Sequence, residues 1–325
     1  MEFCNTNQTE YKCSELGSHL AVGVNIASII VNIIHLIAIL NIKALSGKVY
    51  KKILVTQTLQ DILIGIGHCL ALSCDIHKLI SNISDSKNIQ LAVILAKNIY
   101  FEGITMSRYS FFCVILTDRY LAFCKPFQYT GHIAVRHFNK LILMSFVVPI
   151  IYKMIFAIVY ADSICIDNLV GPTHMNDGST ISAFMDFAIP MILPLIVAMV
   201  FVINITRELC RSASHQSCSH PRGPQEDRAD MRRATIYVVV SFLAYLILLI
   251  PGTPGLALWY ETDLPELTRL VYAYASFISF AVYGMLNVFM FVVMHKKYYR
   301  KVCMNLLHCN PRLSGSIQPQ LEHPK

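Results

Sequence analysis

Charge is scarce in this chain of 325 residues. Asp, Glu, Lys and Arg together make up only 14% of it, against 55% apolar residues, and the mean hydropathy is +0.52. A soluble domain usually carries about a quarter charged residues. That shortage argues against a water-soluble fold, and the absence of a polar bias or a strict repeat excludes a disordered chain or a fibre. Tryptophan is nearly absent, with Trp259 the single example. Catalytic signatures are missing too: no Gly-rich phosphate loop, no Cys-x-x-Cys and no His-Glu-x-x-His. His215, Cys218 and His220 form only a loose cluster in a polar loop. Neither an enzyme nor a metal or cofactor protein is therefore expected. The first 18 residues are polar, so a cleavable signal peptide is not expected either.

What is present is apolar length. Crossing a bilayer as a helix takes roughly 20 apolar residues. Seven runs approach that length, at 19–42, 50–74, 90–123, 139–160, 183–206, 233–258 and 268–293. The third is the least apolar. Apolar–polar alternation over about 10 residues, the mark of a membrane β-barrel, is not the pattern here. The expectation is an all-α integral membrane protein, a seven-helix bundle spanning 19–293. A short outer segment (1–18) precedes it, and an inner tail (294–325) begins with an amphipathic helix from His295 to Leu307.

Lys and Arg collect on cytoplasmic loops. Twenty of the 27 fall in loops 1–2, 3–4 and 5–6 and in the tail, four fall on the opposite side, and Lys97, Arg108 and Lys153 lie within runs. This places the N-terminus outside and the C-terminus inside. The net charge of +7 is then inside bias, so nucleic acid is not an expected partner and the lipid bilayer is. Two sequons, at Asn7 and Asn82, fall on the outer side, where glycosylation occurs; the one at Asn204 falls inside.

The third run closes on Asp118-Arg119-Tyr120, followed by Pro126 and Tyr129. With seven runs in this order and spacing, the chain resembles the rhodopsin-like G-protein-coupled receptors over its whole helical part. The resemblance implies that Asp118 holds Arg119 in the silent state and that Arg119 meets a heterotrimeric G protein in the active one. A guanidinium at a helix end exchanges partners at modest cost. Asn32 and Asp61 match the family's core polar pair, and Pro190 and Pro251 its helix 5 and helix 6 prolines. Asn287-Val288-Phe289-Met290-Phe291 stands where the family has Asn-Pro-x-x-Tyr. Cys303 and Cys309 are palmitoylation candidates, or inert thiols.

Several family positions are changed. The helix 6 tryptophan is Leu249, the helix 4 tryptophan is Phe146, and Phe291 lacks the hydroxyl that joins a water network on activation. The helix 3 cysteine falls near Ile94, which leaves Cys165 of the second outer loop without its usual partner. Cys74 is the favoured one; Cys4–Cys13, or either of these with Cys165, are alternatives, because sequence does not fix connectivity.

An ionisable group inside a membrane is a functional candidate by default. Arg108 lies eleven residues before Arg119, about 16 Å further out at 1.5 Å per residue. That puts it near the depth of Asp61. In the family a sodium ion often sits by the helix 2 aspartate, and Arg108 occupies the supporting helix 3 position. The expectation is a fixed Asp61–Arg108 salt bridge with no sodium response; two separately hydrated charges are the alternative.

Nearer the outside, Lys97, Phe101, Glu102, Lys153, Asp186 and Trp259 are the ligand-pocket candidates. Phe101 replaces the anchoring aspartate of amine receptors; Glu102 and Asp186 either bind a cation together or pair internally. Short termini and loops suggest a small extracellular ligand, and the helix 3 string and Met285-Leu286-Asn287 look somewhat like odorant receptors. The plasma membrane is the expected location. A non-signalling decoy or dimerisation partner is the alternative function. An ion or proton transporter is weaker, since no inverted repeat or paired broken helix is visible.

Overall fold

The computed structural model describes residues 15–42, 49–72, 96, 100, 103–125, 132–159, 164–165, 174–175, 189–215, 225–249 and 266–296. These form seven long helices in chain order: α1 (Glu15–Asn41), α2 (Val49–Leu72), α3 (Ile104–Cys124), α4 (His132–Val159), α5 (Ile189–His215), α6 (Gln225–Leu249) and α7 (Glu266–Met294). Between α4 and α5 a two-residue strand β1 (Ile164–Cys165) pairs antiparallel with β2 (His174–Met175). The fold is the seven-helix membrane bundle that the apolar runs imply.

The exposed surface identifies the solvent. On α1 the side chains of Ile26, Ile30, Ile34 and Ile37 are about half exposed, while Asn25, Ser28, Asn32 and His35 are buried. Those four polar residues recur at helical spacing and form one inward stripe. In water that polarity is reversed, with the apolar stripe packed inward. In lipid, polar groups cluster inside because hydrocarbon offers them no partner. The same apolar exterior covers α4 (Leu143, Ile155, Ile158) and α5 (Leu193, Ile196, Val200). Five of the described helices, α1, α2, α4, α5 and α7, are long and apolar enough to cross a membrane by length and composition. α3 is crowded with Arg108, Asp118 and Arg119, and the first turns of α6 hold six charges between Glu226 and Arg233.

α3 is the central helix, packing on α2, α4, α5 and α6, while α1 lies against α2 and α7, and α7 against α6. The largest core cluster is aromatic where these meet: Phe112 contacts Phe242, Tyr245 and Tyr283 at ring separations of 5.3, 4.7 and 6.2 Å. Such offset and edge contacts add to area burial. Phe146, at the family's helix 4 tryptophan position, packs on Phe111 at 5.9 Å.

Helix ends depart from the apolar runs. α5 continues to His215 and α6 begins at Gln225, well beyond the apolar limits of 206 and 233. Hydropathy marks where a helix leaves lipid, whereas the backbone ladder continues into water through good helix formers such as Arg and Glu. Pro190 stands in the first turn of α5, where no intrahelical N–H is lost, and Pro194 lies inside the helix.

Candidate functional site

Among the described residues, buried polar side chains gather at mid-depth and at the inner end of α3. At mid-depth, Arg108 Nη2 lies 2.6 Å from Asp61 Oδ1, and both side chains are almost fully buried. This is an ion pair without the alignment of a hydrogen bond, and Asp61 Oδ2 has no hydrogen-bond partner. Arg108 Nη1 instead donates to the Gln57 carbonyl (3.3 Å) and to Gln60 Oε1 (3.2 Å). Gln60 Nε2 in turn donates to Ser107 Oγ at 2.6 Å. The guanidinium also lies 5.1 Å from the Tyr283 ring centre and 5.5 Å from that of Phe112. One backbone carbonyl and one amide side chain on α2, with two aromatic faces, thus replace the water that a charged arginine loses on burial. A cavity of about 10 Å³ beside the pair is lined by Asn25, Ser28, Asp61, Arg108 and Tyr283. It has room for about one water molecule.

Asn32 belongs to the same layer but not to the pair. Its Nδ2 donates within α1, to the Ser28 carbonyl (2.9 Å) and Ser28 Oγ (3.4 Å). Asn287 sits one layer further in. Its Oδ1 accepts from Tyr237 Oη at 2.5 Å and from Ser241 Oγ at 3.0 Å, both on α6. Ser241 Oγ also lies 2.8 Å from Tyr283 Oη, to which Gln57 Nε2 donates at 3.4 Å. Gln57, Gln60, Tyr237, Ser241 and Tyr283 were not singled out from the sequence. The readable signal was the polar residue every third or fourth position along α2 and α6, within otherwise apolar helices.

At the inner end of α3, Asp118 and Arg119 are both buried. Arg119 Nε donates to Asp118 Oδ2 at 2.8 Å, and Arg119 Nη2 pairs with the same oxygen. The Arg119 guanidinium stacks 4.5 Å from the Tyr50 ring centre on α2, and Tyr50 Oη lies 3.3 Å from His295 Nε2. Tyr120, half-buried, packs on Phe201 of α5 at 5.6 Å. Phe291 is buried in an aromatic stack with His35 (4.9 Å), His295 (4.6 Å) and Tyr237 (5.8 Å). Its position is hydroxyl-free, and Tyr237 supplies the hydroxyl to Asn287 from α6 instead.

The outer candidates are not brought together within the described residues. Lys153 is buried on α4, its Nζ 5.8 Å from the Phe156 ring centre. Lys97, Phe101, Glu102, Asp186 and Trp259 lie outside the described residues. So do Asn7, Asn82, Cys74, Cys303, Cys309 and the expected helix after His295. Cys165 is described only as part of β1. No group of three or more metal-ligating side chains occurs among the described residues.

Seven helices with an apolar exterior surround a buried polar core, and an acid–arginine pair closes the inner end of the central helix, as in a seven-helix membrane protein. Residues 32–287 match the family described as 7 transmembrane receptor (rhodopsin family), and the chain belongs to that family. Members of this family are receptors rather than enzymes. No curated protein matches the chain.

Proposed function

We propose that this protein is a plasma-membrane receptor that passes the binding of a small extracellular ligand to a heterotrimeric G protein. The observation that carries the reading is the Asp118–Arg119 pair, buried at the inner end of α3 yet held by exchangeable contacts. They include a carboxylate on the adjacent residue and the aromatic face of Tyr50. Such an arginine can leave for a new partner without stranding an unpaired charge, since Asp118 adjoins cytoplasmic water once the end opens. The outer pocket is drawn from Lys97, Phe101, Glu102, Lys153, Asp186 and Trp259, and its ligand chemistry extends to odorant-like molecules. Glycans at Asn7 and Asn82, a Cys74–Cys165 bridge and acylation at Cys303 and Cys309 belong to the same reading. So does insensitivity to sodium, because the Arg108 guanidinium already neutralises Asp61.

The test compares the intact chain with Arg119→Ala at matched surface expression. Nucleotide exchange is measured across G-protein classes, at rest and against a panel of amines, acids, lipids and odorants. Exchange is expected from the intact chain. In the variant it is expected to fall roughly 10-fold or more, since charge-assisted contacts to a partner are lost. Equal exchange in both chains refutes the role of Arg119. Silence in both, with good surface expression, favours a non-signalling partner or decoy, the reading that the apolar Phe291 supports.

A further inference from the structure

The inner face of the bundle carries its charges unevenly. From Leu16 to Gln60, and again from Arg119 to Ala161, the sequence holds no Asp or Glu at all. These stretches include the inner ends of α1, α2 and α4. The α5–α6 side is mixed instead. Glu208, Glu226, Asp227 and Asp230 stand among its arginines, and Arg211 Nη1 lies 3.8 Å from Glu208 Oε2. Orienting a bundle in a membrane needs an excess of Lys and Arg inside, but no such separation of signs along the inner face.

Two of the lysines meet at one seam. Lys52 of α2 reaches across to α4, where its Nζ donates to Asn139 Oδ1 at 3.1 Å, and Lys140 is the next residue. Lys52, Asn139 and Lys140 are all exposed. Among the described residues neither lysine pairs with a carboxylate. Lys51 differs, since its Nζ turns back to the Leu40 carbonyl at 2.9 Å. Asn139 receives Lys52 on its oxygen, so its Nδ2 is left as a third donor at the seam. Directly outward the surface is apolar. Leu59 and Leu63 follow Lys52 on α2 at helical spacing, and Leu143 and Met144 follow Lys140 on α4, all four exposed. Donors below an apolar wall are complementary to a molecule with an anionic head and hydrocarbon tails. A soluble anion matches the lysines alone.

We propose that the inner seam between α2 and α4 binds one anionic phospholipid of the cytoplasmic leaflet. Lys52, Lys140 and Asn139 Nδ2 hold its headgroup phosphate, and its acyl chains lie along the exposed leucines. The site goes beyond the receptor reading and stands without it.

The test is native mass spectrometry of the purified full chain with added phosphatidylinositol bisphosphate, which reads the fraction of protein that retains lipid. Phosphatidylcholine is the uncharged comparison and inositol trisphosphate the headgroup without tails. Lys52→Gln and Lys140→Gln are each expected to weaken retention about 5-fold, and together about 25-fold, the effect of one and two lysines near an anionic headgroup. Arg211→Gln removes the same charge from α5 and is expected to leave retention nearly unchanged. Joint replacement by Lys52→Arg and Lys140→Arg is expected to keep the lipid. Undiminished retention in the double Gln variant overturns the site. So does an equal loss in Arg211→Gln, which means diffuse attraction to the whole inner face. Inositol trisphosphate bound as tightly as the lipid overturns the lipid as occupant. If Lys52→Gln does not yield folded protein, Lys140→Gln against the double Arg variant decides by the same readout.

Discussion

Asp61→Arg or Arg108→Asp alone is expected to keep the protein from reaching the cell surface, and the two together to restore a large part of it. Each single change leaves two like charges facing each other where Nη2 and Oδ1 are now 2.6 Å apart. Removing one partner of a buried pair costs roughly 3–5 kcal/mol, because the remaining charge has no water to turn to. That is a large share of the 5–15 kcal/mol by which a typical fold is stable. The swap returns one charge of each sign to the same depth. Its rescue is incomplete for a definite reason. Arg108 also donates to the Gln57 carbonyl and Gln60 Oε1, and an aspartate at 108 offers them no proton. Gln60 can recover part of this by turning its amide so that nitrogen faces the new carboxylate. The measurement is surface fraction by flow cytometry, with thermal stability of detergent-solubilised protein as the second readout. A double variant no better than either single one contradicts the pairing. The pair need not add net stability over an apolar core, since desolvation offsets attraction. It ties α2 to α3 in one register.

Gly284→Val is expected to be nearly as damaging, through shape alone. A Cβ built at Gly284 lies 2.9 Å from Ser28 Oγ, 3.2 Å from Asn32 Nδ2 and 3.8 Å from Asp61 Cβ. The first two atoms are hydrogen-bonded to each other at 3.4 Å, and Asn32 is further held by the Ser28 carbonyl, so neither swings away cheaply. A valine therefore pushes α7 off α1 or breaks that bond. Overpacking of this kind costs about 1–3 kcal/mol, and the lost hydrogen bond adds about 1 kcal/mol. Gly23→Val is the control. It carries the same change in helix preference on α1, but its Cβ meets nothing within 4 Å. The expected result is a large loss of melting temperature and surface fraction at 284 and little at 23. Equal behaviour of the two variants counts against close α1–α7 packing at this point.

The inner and middle polar groups show how far a linear reading reaches. The depth match of Asp61 and Arg108 follows from helical rise and needs no coordinates. The acid–arginine pair at 118 and 119 is contiguous in the chain, so its proximity is covalent. Tyr237 and Asn287 are 50 residues apart, and Tyr50 and His295 are 245 apart. Nothing local marks either as a partner. A tyrosine in an apolar helix satisfies the same hydropathy whether it faces lipid headgroups, an aromatic core or an amide. Gly284 was equally unreadable, because a glycine's importance depends on what stands opposite.

Composition alone determined that this chain lives in lipid. With 14% charge and seven apolar stretches, no arrangement in water hides enough surface, and the distribution of Lys and Arg orients what results. The helix count follows from apolar length, and the shared depth of Asp61 and Arg108 from helical rise, which are properties of single helices. Tertiary structure decided the rest. It set which polar side chains share an acceptor, and how closely α7 approaches α1. It also put a hydroxyl from α6 beside Asn287, where Phe291 offers none. These are properties of two helices at once. Inside a membrane each buried polar group must find its partner on a neighbouring helix, and only packing assigns it.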